Sequence, residues 1–593
     1  MDGQFPFRPV NIARWDVNVT EESGGVLRVR PCDELGPYPV RLTDSLDDWA
    51  ERVPERIFLA RREAQEQWRS LSYGEFRRLA RNAAQWLLNA GLTPERPIVI
   101  LSGNDLEHAI LGMAAQYAGI TYAPISPAYS LMSSDFGKLR HIFALLNPGL
   151  VFASDGLTFS KAIEAVVPAS TPLVATRNPG RGTVLFNELT QTTTRTSVDR
   201  ATAAVNGDTI AKVLFTSGST GIPKGVINTQ RMLCSNQEML RTVFAEFSAT
   251  PPVVCDWLPW NHTFGGNHDF GLVLYNGGTL YIDDGKPVGR AFEETLRNLR
   301  EIAPTVYFNV PKGYEMLVDA MRRDDALREV FFSRLSMTFY AGAALSQHVW
   351  DALDQLAVET CGHRIAMLTG LGATETAPFA LCANKDISRA GVVGLPVPGV
   401  ELKLVPVGRK LEVRLRGPNV TPGFWGQPET TRAAFDEENF YRLGDALRFL
   451  DPADRRKGFV FDGRIAEDFK LSTGTWVSVG PLRARFLLHA APYFRDIVFA
   501  GHDGDDLTAL LIPDLGVSAA RDTVQKLLRV FAESNPGSST RIVRAIILDE
   551  PPSLDAGEIT DKGSINQHAV LERRAALVEM LYADPPPACV ITI

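Results

Sequence analysis

The sequence predicts an α/β protein, with a large N-terminal unit of layered sheets and helices over residues 1–462 and a small α+β unit over residues 463–593. Two observations favour this class. Runs with helical spacing of apolar residues alternate with strand-like runs along the chain, as they do in layered folds. The length of 593 residues, with 45% hydrophobic and 22% charged residues, fits several compact units with large cores.

Apolar spacing predicts the elements of the large unit. A helix is predicted over residues 72–90, and a short strand over residues 98–101. Residues 109–123 are apolar but broken by glycines and too short for a membrane span, so they predict a buried helix that leads into a strand. A core strand is predicted at residues 211–215, and a helical period returns over residues 232–247.

The small unit is predicted from a change of pattern towards the C-terminus. Residues 541–548 predict a strand, and a loop rich in Pro and Gly follows it. Ser564 and Gln567 have the spacing of a capping box, which predicts a final helix that ends near Leu581. This change of pattern favours a separate domain.

Charge and cysteine usage restrict the partners and the compartment. The net charge is −8 and there is no basic block, which disfavours nucleic acid and anionic lipid as partners. The N-terminus lacks the basic and apolar sections of a signal peptide, and the six cysteines have no metal-ligand spacing. We expect a cytoplasmic protein without a membrane span, and the sequence leaves a homodimer open.

The strongest functional signal is a segment rich in glycine and hydroxyls that follows the predicted core strand. Its candidate phosphate-binding residues are Thr216, Ser217, Gly218, Ser219, Thr220, Gly221 and Lys224. Glycines let backbone N–H groups face an anion, hydroxyls add donors and the lysine adds charge, so the segment predicts a nucleotide polyphosphate site. Pro223 and Gly225 break the P-loop pattern, which disfavours P-loop kinases and GTPases. The alternative is a flexible surface turn.

An aromatic segment, residues 257–266, is the second candidate. It holds two Trp, a Phe and a His among turn-forming residues. Phe264 and His262 are candidates for the wall and the polar contact of an apolar pocket. The alternative is a well-packed corner whose histidine is only hydrogen-bonded, and the segment matches no zinc pattern.

Four further residues have side chains suited to a nucleotide. Thr374 can donate to a phosphate oxygen, and Glu375 can hold Mg²⁺, which prefers oxygen ligands. Asp445 can accept hydrogen bonds from both hydroxyls of a ribose, and Arg464 offers a fixed cation. The alternatives are a helix start, a turn aspartate and a charged surface turn.

Taken in order over residues 213–563, these segments resemble the motifs of the adenylate-forming superfamily, which contains acyl-CoA and aryl-CoA synthetases, peptide-synthetase adenylation domains and luciferases. The resemblance adds Gly342 and Ala343 as adenine contacts, and Gly342 and Gly372 as contacts of the acid. It also singles out Lys562, otherwise a solvated loop lysine, as a mobile catalytic residue. The chain departs from the usual motifs at Leu371, Leu443 and Ala466, where relatives carry Tyr, Thr and Lys.

The resemblance implies an adenylation domain, a mobile lid and a reaction in two steps. A carboxylate attacks the α-phosphorus of Mg·ATP, and the thiol of CoA then takes the acyl group from the acyl-adenylate. The implied catalytic residues are Lys562, Thr374, Glu375 and His262, with Glu375 as the Mg²⁺ ligand. ATP, Mg²⁺ and CoA are therefore the expected cofactors.

Three stretches resemble bacterial feruloyl-CoA synthetases in particular, namely residues 229–232, 260–266 and 469–477. This resemblance implies ferulate or a related 4-hydroxycinnamic acid as the substrate. Two alternatives stay open. One is an adenylate-forming enzyme that uses another aryl or fatty acid, or that passes the acyl group to a carrier thiol. The other is a non-catalytic regulator that binds an acyl group or a nucleotide.

Overall fold

A computed structural model gives the fold and describes residues 5–63, 67–180, 182–217, 221–502, 504–514 and 520–593. Over these residues, the large unit contains three sheets. The strands of the first are, in spatial order, Val17–Glu21, Leu27–Pro31, Glu401–Val407, Lys410–Arg416, Tyr441–Phe449, Phe459–Arg464, Val392–Pro396, Phe379–Cys382, Ala366–Gly372, Met337–Tyr340 and Val306–Asn309. Those of the second are Pro223–Thr229, Ile210–Ser217, Tyr122–Ile125, Ile98–Leu101, Leu150–Asp155, Leu173–Arg177 and Val184–Leu185. Those of the third are Val253–Asp256, Thr279–Ile282, Ile57–Arg62 and Trp68–Ser72.

Helices cover the sheets. In the large unit they are Leu42–Arg52, Tyr73–Asn89, Leu106–Ala118, Ala128–Leu131, Gly137–Leu146, Ser160–Val166, Phe186–Gln191, Thr196–Ala204, Gln230–Val243, Phe270–Tyr275, Phe292–Leu299, Pro311–Met321, Asp325–Arg334, Gln347–Cys361 and Pro428–Ala434. In the C-terminal part they are Val479–Ala490, Arg521–Ser534, Gln567–Arg573 and Ala575–Tyr582. The predicted α/β class is confirmed, with strands buried on both faces between helices.

The helix and strand predictions for the large unit are confirmed. The first predicted helix is Tyr73–Asn89, and the Ser72 side chain caps it by accepting from the backbone N–H of Glu75 at 3.2 Å. The apolar stretch 109–123 lies in the helix Leu106–Ala118 and the strand Tyr122–Ile125. No helix among the described residues is long and apolar enough to cross a membrane.

The C-terminal part has its own sheet and its own apolar core. Its strands lie in the order Phe494–Ala500, Leu507–Pro513, Ile542–Ile547 and Ile591–Thr592, and a short pair, Phe469–Lys470 and Trp476–Val477, precedes them. The core runs from Phe469 to Ile591 and is separate from that of the large unit. The boundary between residues 462 and 463 stays a prediction, and it falls within a strand of the large sheet.

The predicted cap of the final helix is wrong. Asn566, not Ser564, caps the helix by accepting from the backbone N–H of Ala569 at 3.3 Å. The backbone of Ser564 is used by a tight turn instead, since its carbonyl accepts from Thr560 N at 2.9 Å. The helical region is also interrupted at Arg574, between Gln567–Arg573 and Ala575–Tyr582.

Arg574 turns inward because it pairs with a buried carboxylate at the base of the 557–563 loop. The Glu558 side chain accepts from Arg574 Nε and from Arg573 at 2.6 Å, and from the backbone N–H of Ser553 at 2.8 Å. Burial pushes the pKa of Glu558 up, but the hydrogen bonds from Arg574 and Ser553 outweigh it and hold that pKa below its usual range. This cluster anchors the loop that carries Lys562.

We expect Glu558→Gln to destabilise the C-terminal part by about 2 kcal/mol, because Arg574 would then lose its buried counter-charge. The lowered pKa of Glu558 contributes stability at pH values above the pKa that this carboxyl has in the unfolded chain. That contribution is lost as the pH falls, so the difference in unfolding free energy between variant and wild type should shrink in acid. Hydrogen exchange of the C-terminal sheet measures the loss. The exposed Glu533→Gln is the matched control, and equal exchange in both variants would contradict the prediction.

Candidate active site

The described phosphate-binding candidates Thr216, Ser217, Gly221 and Lys224 lie at the end of an antiparallel strand pair, which we call the phosphate hairpin. Strands Ile210–Ser217 and Pro223–Thr229 pair so that Thr216 faces Lys224 and Ser217 faces Pro223. Gly221 has a φ of 76°, a left-handed value that favours glycine. Gly218, Ser219 and Thr220 lie outside the described residues. The Lys224 ammonium lies 5.7 Å from the centre of the Phe424 ring, on the same side of the hairpin as Thr216.

Thr374 and Glu375 lie in a short 3-10 turn that follows the strand Ala366–Gly372. The turn is tight, because a Cβ on Gly372 would lie 1.7 Å from the carbonyl oxygen of Pro378. Thr374 is buried, and the Glu375 carboxylate accepts a hydrogen bond from the hydroxyl of Tyr441. One side of the Glu375 carboxylate is therefore held by Tyr441, while the side chain stays partly exposed.

Asp445 and Arg464 face each other on neighbouring strands. They are paired in register, and Arg464 Nε lies 3.4 Å from Asp445 Oδ1. Burial raises the pKa of Asp445 to about 6, although the Arg464 charge acts in the opposite direction. Arg464 itself is largely exposed. Tyr441 belongs to the strand of Asp445, so one strand supports both carboxylates of the site.

His262 begins the turn that leads into a π-helix, Phe264–Asp269. π-helical turns occur frequently at functional sites. This one packs tightly, since a Cβ on Gly266 would lie 2.2 Å from the carbonyl oxygen of Trp260. The buried ammonium of Lys212 donates to the carbonyl of Gly266 at 2.9 Å, and burial lowers the pKa of Lys212 to about 7.

Partly buried apolar residues pack against the core of the large unit close to this turn. They are Trp257, Phe264, Val310, Ala341 and Leu371, and we call this group the apolar edge cluster. Val310, Ala341 and Leu371 lie at the carboxyl ends of three neighbouring parallel strands of the largest described sheet. Ligands of α/β proteins bind at such carboxyl ends. Gly342 and Ala343 lie at the same edge and are exposed.

The loop of Lys562 closes over this site from the C-terminal part. Asp561 Oδ2 lies 3.3 Å from His262 Nε2, and the Tyr129 hydroxyl also hydrogen-bonds to Asp561. Burial and the nearby charge of Lys562 lower the pKa of His262 to about 4, so a neutral imidazole lies beside the Asp561 carboxylate. A Cβ on Gly221 would touch Gly557 at 3.7 Å, so the loop also reaches the phosphate hairpin.

A second carboxylate fastens the same loop to the large unit. Asp555 accepts from the hydroxyl of Ser133 at 2.7 Å, and from the backbone N–H and hydroxyl of Ser134 at 3.0 and 2.8 Å. Lys138 Nζ donates to the carbonyl of Leu554 at 2.6 Å. These contacts form a latch between segment 133–138 and segment 554–555, and they hold Lys562 beside His262.

The structure brings the described site candidates to one edge of the large unit. Lys562, His262 and the phosphate hairpin meet there, and Thr374, Glu375, Asp445 and Arg464 share neighbouring strands and turns. Sequence reasoning missed Tyr129, Lys138, Tyr441 and the latch serines. They have no local sequence signal, because contacts across hundreds of residues leave no local pattern. Asp561 was missed as well, and its only sequence signal is that it directly precedes the predicted Lys562.

Comparison with known proteins decides the family. A model of the family described as "AMP-binding enzyme" matches residues 46–425. The chain belongs to the AMP-binding enzyme family. Members of this adenylate-forming group include CoA ligases, carboxylic acid reductase and luciferase among the curated relatives.

Individual relatives of this AMP-binding enzyme are distant. A carboxylic acid reductase of Mycobacterium marinum is 24% identical over an alignment of 577 residues, which covers 87% of this chain and 46% of that protein. An anthranilate–CoA ligase of Pseudomonas aeruginosa is 29% identical over 272 residues, 44% of this chain and 48% of the ligase. The chain spans between 33% and 46% of the length of the carboxylic acid reductases it matches.

The fold agrees with solved structures of the family. A benzoate CoA ligase from Burkholderia xenovorans superposes with a TM-score of 0.69 at 20% identity, over 90% of this chain and 100% of that chain. The overlap includes both the large unit and the C-terminal part. The predicted fold class is confirmed by this likeness.

Proposed function

We propose that this AMP-binding enzyme is an ATP-dependent carboxylate–CoA ligase that activates an aryl acid, ferulate or a related 4-hydroxycinnamic acid, through an acyl-adenylate. The observation that carries the proposal is the closed loop of Lys562. A cation from a separate part of the chain lies beside His262, and Gly557 of the same loop lies against Gly221 of the phosphate hairpin. A nucleotide-binding regulator has no need of such a cation, whereas attack on a phosphate requires one.

In the first step, a carboxylate oxygen of the acid attacks the α-phosphorus of ATP. The bond to the β-phosphate breaks, and pyrophosphate leaves with its electron pair. The phosphate hairpin with Lys224 would hold the β- and γ-phosphates, Thr374 would donate to a phosphate oxygen, and Lys562 would neutralise the charge that builds up during attack. Gly342 and Ala343 would border the adenine.

Mg²⁺ fits the residues at Glu375. Glu375 would hold the ion through its carboxylate, since Mg²⁺ in nucleotide sites is usually bound by one or two carboxylates together with substrate phosphates. Glu375 is partly exposed and fixed by Tyr441, so one carboxylate oxygen is free to bind the ion. Bound Mg²⁺ neutralises phosphate charge.

In the second step, the thiol of CoA attacks the acyl carbonyl carbon and AMP leaves. The closed loop of Lys562 covers the site beside His262, so the C-terminal part must turn away before a thiol can approach. Arg464 lies next to the predicted boundary between residues 462 and 463, and Asp445 would hold the ribose. A cytoplasmic location and a homodimer stay predictions.

Some relatives support an aryl acid, whereas others, such as a malonate–CoA ligase of Arabidopsis thaliana, are named for a non-aromatic acid. Benzoate and anthranilate CoA ligases are among the proteins similar to this chain. A second candidate function is transfer of the acyl group to another thiol, because the similarity to carboxylic acid reductases covers 87% of the chain. The apolar edge cluster, with Trp257 and Phe264 in it, supports an aryl acid in either case.

A panel of carboxylic acids with ATP and CoA tests the proposal. Ferulate, coumarate, caffeate, benzoate and a medium-chain fatty acid are compared, and pyrophosphate exchange and thioester are measured separately. We expect both signals, strongest with a hydroxycinnamate. Exchange without thioester would favour transfer to another thiol, and neither signal with any acid would support a binding regulator.

We expect the KM for ATP to rise about fivefold as the pH falls from 7 to 5, because Asp445 has a pKa near 6 and loses its charge in that range. An ionised Asp445 accepts from both ribose hydroxyls, whereas the protonated form accepts less well. Asp445→Asn should raise the KM at pH 7 and flatten this pH dependence. If the KM for ATP rose with falling pH by the same factor in Asp445→Asn and in the wild type, the rise would instead come from protonation of the phosphates of ATP.

A further inference from the structure

Two opposite charges lie side by side at the tip of the loop that carries Lys562. The tip is a tight turn, in which the backbone N–H of Gly563 donates to the carbonyl of Thr560 and the N–H of Thr560 donates to the carbonyl of Ser564, both at 2.9 Å. Gly563 has a φ of 83°, a left-handed value that favours glycine. Asp561 and Lys562 are the two central residues of the turn, so one hydrogen-bonded backbone carries both charges.

The Asp561 carboxylate is buried against separate segments of the large unit. Its Oδ2 lies 3.3 Å from Nε2 of His262, and only 5% of the side chain is exposed. The hydroxyl of Tyr129, a buried residue of the helix Ala128–Leu131, also hydrogen-bonds to Asp561. Burial lowers the pKa of Lys138 and the charge of Asp561 opposes that shift, so these two side chains lie close together. Specific contacts therefore place the carboxylate at the site.

His262 cannot withdraw from Asp561 as a whole residue, because its backbone is held in the turn. Its N–H donates to the carbonyl of Pro259 at 3.0 Å, and its carbonyl accepts from the N–H of Gly266 at 2.8 Å. The proposed function brings the carboxylate of the acid to this same imidazole. One fixed ring would then face two carboxylates, that of Asp561 and that of the acid.

Two carboxylates beside this imidazole repel each other. Burial and the charge of Lys562 lower the pKa of His262 to about 4, so the ring carries no positive charge at neutral pH. Water screens charges poorly in a site that is largely buried, so like charges a few ångströms apart repel more strongly than in solvent. Lys562 supplies one cation, which cannot neutralise both carboxylates and the phosphates of ATP. The acid and Asp561 therefore exclude each other from His262.

We propose that Asp561 is an autoinhibitory group, which holds the place of the acid's carboxylate at His262 and which the acid displaces when it binds. The inference rests on the proposed function and deepens it, because it names the contact that controls entry of the acid. Displacement breaks the contacts of Asp561 with His262 and Tyr129, while the latch at Asp555 still fastens the loop. Lys562 then faces the acid's carboxylate without a competing anion.

A docking role for Asp561 predicts the opposite result. If its contacts only served to position Lys562, removal of the carboxylate would loosen the loop and weaken binding of the acid. If Asp561 competes with the acid, removal of its charge strengthens that binding. The sign of the change in affinity decides between the two roles, and damage to the fold does not imitate a gain in affinity.

Binding of ferulate and of benzoate to the wild type and to Asp561→Asn tests the proposal. Calorimetry is carried out with Mg²⁺ and α,β-methylene-ATP present, so that nucleotide is bound and no pyrophosphate is released. We expect the Kd of each acid to be roughly tenfold lower in Asp561→Asn, because a like charge leaves a largely buried site. The uncharged amides of the two acids should bind wild type and variant equally.

A matched variant and a second site complete the experiment. Asp549→Asn removes the same charge at an exposed position of the C-terminal part and should leave every Kd unchanged. Tyr129→Phe removes a hydrogen bond that holds Asp561 and should lower the Kd of the acids about threefold. An equal or higher Kd of the acids in Asp561→Asn, or a higher one in Tyr129→Phe, would overturn the inference and leave the proposed function intact. Binding of no carboxylic acid by any of these proteins would overturn both.

Discussion

Lys562→Ala should slow formation of the acyl-adenylate by about 10²–10³-fold. The Lys562 charge lies close enough to His262 to lower the pKa of the imidazole, so it is in place to neutralise the charge that develops at the phosphorus. Asp561 and Asp555 would still fasten the loop to the large unit, and the closed conformation should persist. The measurement is single-turnover release of pyrophosphate from ATP and the preferred acid.

The second step separates this effect from general damage. Lys562→Ala should convert synthetic acyl-adenylate and CoA to thioester at close to the wild-type rate, because that step proceeds with the loop moved away. Lys526→Ala, at another exposed lysine of the C-terminal part, is the control and should change neither step. Unchanged pyrophosphate release in Lys562→Ala would refute the proposed mechanism.

Glu375→Gln should lower the adenylation rate by roughly 10²-fold and raise the Mg²⁺ concentration needed for half-maximal rate. The substitution removes a charge but keeps an oxygen that can accept from Tyr441, so the turn should hold its shape. Thr421 N also donates to the Glu375 carbonyl at 2.8 Å, a contact that the variant retains.

Binding gives a readout that does not depend on turnover. Titration of ATP by calorimetry, with and without Mg²⁺, should show a Mg²⁺-dependent gain in affinity for the wild type that is smaller in Glu375→Gln. Glu437→Gln, at an exposed position near the same sheet, is the matched control. An equal Mg²⁺ gain in wild type and Glu375→Gln would remove Glu375 from the metal site.

Local patterns carried most of the fold prediction. The apolar period over residues 72–90 and the interrupted run at 109–123 each correspond to observed elements, because burial of one face dictates the spacing of apolar residues. The prediction of a helix cap at Ser564 was wrong because tertiary contacts override the local pattern. Arg574 is drawn to the buried Glu558, and the turn at Thr560 uses the backbone of Ser564, so neither competitor was visible in the local spacing.

The site was predicted through motifs and not through geometry. Lys224, Glu375, Asp445 and Lys562 were chosen by chemical type and order, and the described residues place their segments at one edge of the large unit. The partners of those residues could not be predicted in the same way. Tyr441 meets Glu375 from a different strand, and Asp555 meets Ser133 across 422 residues, so only the folded chain brings them together.

The latch has a consequence for turnover. It consists of hydrogen bonds from Ser133, Ser134 and Lys138, most of them at partly or fully exposed positions. When such bonds break, water replaces each partner, so separation costs little net free energy per bond. An enzyme that must open once in every cycle benefits from a fastening that is specific in geometry and weak in strength. We therefore expect domain opening to be rapid, and the chemistry or the departure of AMP to limit the overall rate.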